Sequence, residues 1–315
     1  MTYIQGGTPW YYIGMREMWK KFRNFFHEYG KFIFSTILIF GIIFFAYSAV
    51  LVASPHKLRV SFLDVGQGDA IFIQTPSGQE ILIDGGATNV VLEKLADEMS
   101  YFDTTIEMIL ATHPDADHVT GLIPVLEKFN ISYVLLSPSS GKTMLYDDML
   151  ARTNKEDAVI RVAHRGDVID FHDGVVVHVL YPSKNYKGNE SDTNDASVSV
   201  VLTYKNISFL LTGDLPSTRE GMLIEKSNQE HLPQKVTVYK AGHHGSNTSS
   251  GELLLSYIKP EYAIISAGKD NKYGHPNPET LLRLGKYSKE ILSTIDRGTI
   301  SFITDGRVME VETEK

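Results

Sequence analysis

The chain has no cysteine among its 315 residues. Disulfides, thiolate zinc sites and cysteine nucleophiles are therefore excluded together, and any bound metal must be held by histidine and carboxylate. A positive surplus is also missing, since the formal net charge is −8. That argues against a generally basic surface of the kind that coats nucleic acid, although it leaves room for a local patch. No Gly-x-Ser-x-Gly elbow is present, so nothing points to a serine hydrolase of that design. "SPSSGKT" ends like a phosphate-binding loop, but Leu136 stands where the first glycine of that motif belongs. Gly66 and Gly68 do not continue into a dinucleotide fingerprint, and there is no short-period repeat or low-complexity tract.

What remains has the composition of a globular protein with a sizeable core, apart from one segment. An uncharged run, residues 32–53, opens at Phe32 and closes at Ala53. At about 1.5 Å rise per residue it is long enough to cross a hydrocarbon layer of roughly 30 Å. It is too long for the apolar part of a cleaved signal peptide, and no small-x-small site follows, so an uncleaved anchor is expected. Arg16, Lys20, Lys21, Arg23 and Lys31 precede it, against Lys57 and Arg59 after it. By the positive-inside rule, residues 1–31 are cytoplasmic and the main domain lies outside the cell membrane. Residues 9–29, aromatic and basic, read as an interfacial helix or as a plain tail.

After a linker at residues 54–57, residues 58–315 alternate short apolar strands with glycine- and aspartate-rich turns and amphipathic helices. Helices are expected over residues 89–99, with Asn89 as N-cap, and over 119–129, 143–154 and 217–227; residues 182–195 read as a loop. Strand pairs open both halves, which predicts an α/β sandwich, two sheets between helices, with weak pseudo-symmetry.

Residues 112–118 read "THPDADH", directly after an apolar strand. On extended backbone His113 and Asp115 point the same way and can grip one ion, while Asp117 and His118 enter the next helix and can grip a second. Asp115 or Asp117 is also placed to cap that helix. Three further strand ends carry candidates. Asp214 closes "LLTGD", His243 and His244 sit in "KAGHHGS", and His275 lies in "YGHPN". Asp214 is suited to bridging two ions. Either histidine of the pair can complete the second site while its neighbour faces a substrate. His275 reads equally as a loop residue before proline.

In this order the motifs resemble the metallo-β-lactamase superfamily. With "FLDVGQGDA" and "LIDGG" ahead of them, they resemble more narrowly the hydrolase domain of ComEC-type competence proteins. The resemblance covers about residues 58–313 and implies an αββα fold, here preceded by one transmembrane helix. It also implies a metal-dependent hydrolase with two divalent ions, zinc or manganese. His113, Asp115, Asp117, His118, Asp214 and His244 are the expected ligands, and His243 and Asp117 the expected catalytic residues. Asp115 stands where the superfamily usually has histidine. The histidine expected ahead of Asp214 is missing too, and Asn194 or Asp195 stands in its place. The substrate implied is a phosphodiester, DNA included. A cell-wall phosphoester, lactone or lactam is the alternative, and a non-catalytic extracytoplasmic binding module a third reading. Asp64, Asp69 and Asp84 read as turn formers or as supports behind the ligands.

Overall fold

The computed structural model describes residues 10–53, 57–139, 143–154, 158–186, 192–225, 228 and 231–315. The "SGK" of the phosphate-loop look-alike, part of the linker and part of the expected loop at 182–195 lie outside them. The chain divides into two compact units, Met1–Pro55 and His56–Lys315.

The described residues of the first unit form one helix, Trp10–Ala53. Its stretch Met15–Phe45 is long and apolar enough to cross a membrane. The helix thus starts well before the uncharged run and takes in most of the aromatic, basic stretch, since no proline interrupts residues 10–53. The hydroxyls of Ser35 and Thr36 donate to the carbonyls of Lys31 and Phe32, which satisfies them inside the helix.

The second unit is a four-layer sandwich. One sheet runs, in spatial order, Met309–Thr313, Ile300–Thr304, Leu58–Phe62, Ile71–Gln74, Glu80–Ile83, Thr105–Ala111, Asn130–Leu136 and Val159–Val162. The other runs Glu290–Ser293, Tyr262–Ile265, Val238–Lys240, Ile207–Leu211, Ser199–Tyr204, Val175–Tyr181 and Val168–Asp170. Each begins with antiparallel hairpins and continues in parallel strands joined through helices. This is the expected pseudo-symmetry, made physical. The C-terminal hairpin closes the first sheet by pairing Ile300–Thr304 with Leu58–Phe62.

Alternation along the strands supplies two faces. Phe62, Ile73, Leu110, Val177, Leu202 and Phe209 meet between the sheets. Phe302 sits at their centre. Its ring contacts Phe62 of its own sheet at 6.0 Å and reaches Phe209 and Tyr262 of the other at 5.9 and 5.4 Å, all near edge-to-face. The opposite faces carry helices Val90–Glu98, Leu122–Lys128 and Met144–Thr153 on one sheet and Glu252–Ile258 and Pro278–Tyr287 on the other.

Three expected helices change in detail. Asn89 occupies the N-cap of Val90–Glu98, but its side chain makes no capping bond. The helix expected over 119–129 is two pieces, Ala116–Val119 and Leu122–Lys128. The break falls where the amide of Gly121 leaves the helical ladder to donate to the Gly86 carbonyl at 3.0 Å. Ser217–Glu220 continues only as a 3-10 turn, Gly221–Ile224.

Phe302→Ala should lower the unfolding free energy by about 3–5 kcal/mol, the usual loss for a buried phenylalanine. Phe102→Ala, at an exposed ring, should change it by less than about 0.5 kcal/mol. Urea titration followed by near-ultraviolet circular dichroism distinguishes the two.

Candidate metal centre

Parallel neighbours end on the same side of a sheet, so the loops after Ile83, Ala111, Leu211, Lys240 and Ile265 gather at one edge of the sandwich. Ligands in open α/β sheets bind outside these carboxyl ends. Backbone hydrogen bonds stitch the loops together. Gly85 donates to the His118 carbonyl at 2.7 Å, Val198 to Thr112 at 2.9 Å, and His243 to Gly213 at 3.1 Å. Gly68, at φ +117°, lets the "GQGD" turn lie directly against "THPDADH", since a Cβ there would come within 2.0 Å of the Asp117 carbonyl oxygen.

Four imidazoles surround one carboxylate oxygen. The Nε2 atoms of His113, His118, His243 and His244 lie 3.8, 3.4, 3.7 and 3.4 Å from Asp214 Oδ2. His113, His118, His244 and Asp214 are almost fully buried, whereas the His243 side chain keeps 29% of its exposure. Asp117 reaches His244 Nε2 at 3.4 Å, and Asp115 reaches His113 Nε2 at 3.8 Å. Four overlapping donor groups result among the described residues, each with ligand atoms within 4.8 Å of one another. Two face the cleft, His113, His118 and Asp214, and Asp117, His118 and His244. Two reach back to Asp69, which joins Asp214 and His244 in one and Asp84 and His118 in the other.

Hydrogen bonds behind the rings orient them. Asp84 accepts from His118 Nδ1 at 2.8 Å, and the Ser266 carbonyl accepts from His244 Nδ1 at 3.1 Å. Thr112 donates its hydroxyl to Asp84 at 2.7 Å and so takes the His113 Nδ1 proton, 3.0 Å away, on its lone pair. In their neutral forms these three buried imidazoles therefore carry their proton on Nδ1 and turn an Nε2 lone pair inward. The Nε2 atoms of His113, His118 and His244, and Asp214 Oδ1, are buried without hydrogen-bond partners. Inward-facing orphan acceptors, with their outer nitrogens fixed, suit a divalent cation.

Charge points the same way. Asp69, Asp84, Asp115, Asp117 and Asp214 meet here against one buried ammonium, Lys240 Nζ, 2.9 Å from Asp69. Burial disfavours charge on His118 and His244, yet Asp214, helped by Asp84 and Asp69 respectively, pushes both imidazoles well above their usual range. His113, buried and beside His118, is pushed down. Burial would raise Asp214, but His244 and His118 hold it well below the carboxylate range.

Asp115 occupies the N-cap position without capping the helix. One of its oxygens accepts from the Thr193 hydroxyl and the other faces His113. Asp195 is drawn away, its carboxylate 2.6 Å from Arg219. The side-chain oxygen of Asn194 is buried without a partner. His275 lines the cleft with its ring 5.5 Å from that of His243, outside all of these donor groups. Asp64 lies apart, paired with Lys315 at 3.1 Å. Sequence reasoning missed Lys240. Its one signal is a charged residue ending an apolar strand just before "AGHHG".

Backbone strain marks the same place. His243, His244 and Asp84 all adopt left-handed φ, at 49°, 54° and 58°. Non-glycine residues hold that conformation only where the surroundings impose it.

Burial would raise the Asp69 carboxyl, but Lys240 and His244 hold it at about 2. Lys240→Met leaves that carboxylate buried without its cation and should destabilise the protein by about 3–5 kcal/mol. Adding Asp69→Asn should recover part of the loss. A double-mutant cycle by urea denaturation checks this, and additive effects would show that the pair is not coupled.

A model of the metallo-beta-lactamase superfamily matches residues 63–183. The chain is 31% identical over 269 residues to ComE operon protein 3 of Bacillus subtilis, covering 79% of this chain and 33% of that protein. It is 29% identical over 269 residues to Recombination protein 2 of Haemophilus influenzae, covering 83% and 31%. It is 24% identical over 269 residues to Competence protein ComA of Neisseria gonorrhoeae, covering 85% and 35%. The chain thus spans about a third of the length of these relatives. With the four-layer fold and the clustered strand-end motifs, the matches show a metallo-β-lactamase superfamily domain and support its placement in the branch of ComEC-type competence proteins.

Proposed function

We propose that the chain is a membrane-anchored, metal-dependent phosphodiesterase that cuts nucleic acid. The observation that carries this reading is the set of inward-facing, partnerless imidazole nitrogens around Asp214. The substrate class is supported by the printed names of the relatives, which speak of competence and recombination.

His113, Asp115 and Asp214 would hold one divalent cation, with Asn194 as a further oxygen donor. Asp117, His118 and His244 would hold the other, with Asp214 between them. When bound, such ions supply Lewis-acid stabilisation of charge on the attacked phosphoryl group and make water a nucleophile near neutral pH. Asp84, Thr112 and the Ser266 carbonyl keep the imidazoles facing inward. The expectation left two roles open for the histidine pair. Burial and donor grouping favour His244 as ligand, while partly exposed His243 faces the cleft. From there His243 donates a hydrogen bond, and then a proton, to the departing oxygen. The anchor is read as residues 32–53 and the hydrolase domain as 58–315. The basic residues before the anchor support an N-terminus in the cytoplasm and a hydrolase domain outside.

The purified full chain in detergent should carry about two divalent ions by elemental analysis and cleave labelled DNA with Mn²⁺ or Zn²⁺. Asp117→Ala should lower kcat/KM by more than about 100-fold, because even residues that only orient ligands are worth 10–100-fold. Cleavage that survives both chelation and this substitution would sink the mechanism. Metal retention with hydrolysis of lactams, lactones or cell-wall phosphoesters alone would move the substrate class. Fewer than about one ion per chain would favour a binding module.

A further inference from the structure

One wall of the cleft has no role in that mechanism. It is the loop between strand Tyr262–Ile265 and helix Pro278–Tyr287. Asn271 braces it from within. Its side-chain amide donates to the carbonyls of Gly268 and His275 at 2.7 and 2.6 Å, and its oxygen accepts from the amides of Tyr273 and His275 at 3.2 and 2.9 Å. The far end is tied to the histidine pair, since Asn277 donates to the Gly245 carbonyl at 2.9 Å. Gly245, at φ +82°, allows the close approach, because a Cβ there would lie 2.8 Å from Pro276 Cβ.

This bracing holds two rings in a stack. Tyr273 and His275 lie 5.8 Å apart at an interplanar angle of 17°. His275 in turn meets His243 edge-on at 5.5 Å. An aromatic run therefore leads from the proposed proton donor out to Tyr273, which is 55% exposed. Two clefts meet along it. The inner one, about 120 Å³, contains Asp115, Asp117, Asp214 and the histidine pair. The outer one, about 380 Å³, is lined by Ala87, Ala116, Asp270, Asn271 and Lys272, and Gln67, Asp117 and Tyr273 border both. The outer volume lies within the roughly 300–1,000 Å³ that small ligands fill. An exposed aromatic ring on a braced loop, one cleft away from a site for a phosphoryl group, has the layout of a base-stacking platform. Lys272 adds a cation, its ammonium 5.1 Å from the centre of the Tyr273 ring. Held by about 0.5–1 kcal/mol at such an exposed position, it can yield the ring to a base and turn to a neighbouring phosphate.

We propose that Tyr273, backed by His275, is a stacking shelf for the nucleobase beside the scissile phosphate, and that the outer cleft takes one nucleotide of a single strand. The proposal rests on the phosphodiesterase reading above and narrows its substrate. Bases paired inside a duplex cannot reach such a shelf, so unpaired strands and frayed ends are the preferred substrates. Tyr273 is a positioning residue in this scheme and touches no reacting atom.

The test uses the full chain in detergent with Mn²⁺, a labelled oligothymidine and an abasic strand of equal length. Tyr273→Leu should raise KM on oligothymidine by about 5- to 150-fold, the range for one lost base–aromatic stack, with kcat little changed. Tyr273→Phe should stay within about 2-fold of the parent. Cleavage of the abasic strand should be poor and indifferent to either substitution. Independently of turnover, a 5-iodouracil strand irradiated with the Asp117→Ala variant should crosslink to Tyr273, mapped by mass spectrometry. Equal losses on both strands, an unaltered Tyr273→Leu enzyme, or a crosslink elsewhere would overturn the shelf and leave the phosphodiesterase reading standing. A parent protein that cleaves neither strand with any divalent metal would overturn both.

Discussion

A single buried carboxylate constrains the edge where the strand-end loops of this protein converge. Asp214 lies almost out of contact with water, and four imidazole nitrogens approach one of its oxygens. A charged carboxylate in such a place must be compensated, and the rings around it can do this in two ways. They can take up protons, as the raised pKa values of His118 and His244 describe, or present lone pairs to cations. The bonds behind the rings make the second state ready, because the Nδ1 protons of His113, His118 and His244 already have acceptors. The left-handed backbones of Asp84, His243 and His244 are the local cost of aiming so many groups at one point.

The two sheets make that convergence possible. Each contributes parallel strands whose carboxyl ends share one rim, and the rigid core around Phe302 fixes the rims relative to each other. Asp84 and the "THPDADH" loop come from one sheet, Asp214 and the histidine pair from the other. Ligands divided in this way bind well only if the sandwich does not slide. The interlocked aromatic core supplies that stiffness.

Much of this was legible in the sequence, because period-two apolar runs and strand-end polar clusters are local signals. The strand pairs, the order of motifs and the inward group of His113, His118 and Asp214 all have such signatures. What was not legible depends on contacts between distant segments. The helix after "THPDADH" breaks because the Gly121 amide finds Gly86, far off in sequence. Asp195 and Asn194 look interchangeable as letters. Arg219, on another element, takes the carboxylate and leaves the amide oxygen partnerless. Lys240 could be seen only as an odd charge on a strand until Asp69 was found beside it. Tyr273 carried no signal at all, since its role depends on a ring stacked beside it and a cleft in front.

Asp115 shows how one letter shifts the chemistry of the whole rim. A histidine at that position would add a neutral donor and leave the charge of the cluster to Asp69, Asp84, Asp117 and Asp214. The aspartate adds another negative charge instead, half-exposed and fixed by the Thr193 hydroxyl. An oxygen donor there, with Asn194 next to Thr193 in sequence, makes the His113 side of the cluster harder in character. Such donors suit ions like Mn²⁺ more than imidazole does. The group of Asp117, His118 and His244 keeps a mixed oxygen and nitrogen character. Asp214 lies 3.8 Å from His113 and 3.4 Å from His118 and His244, so a charge placed on one side of the cluster is felt on the other through its carboxylate.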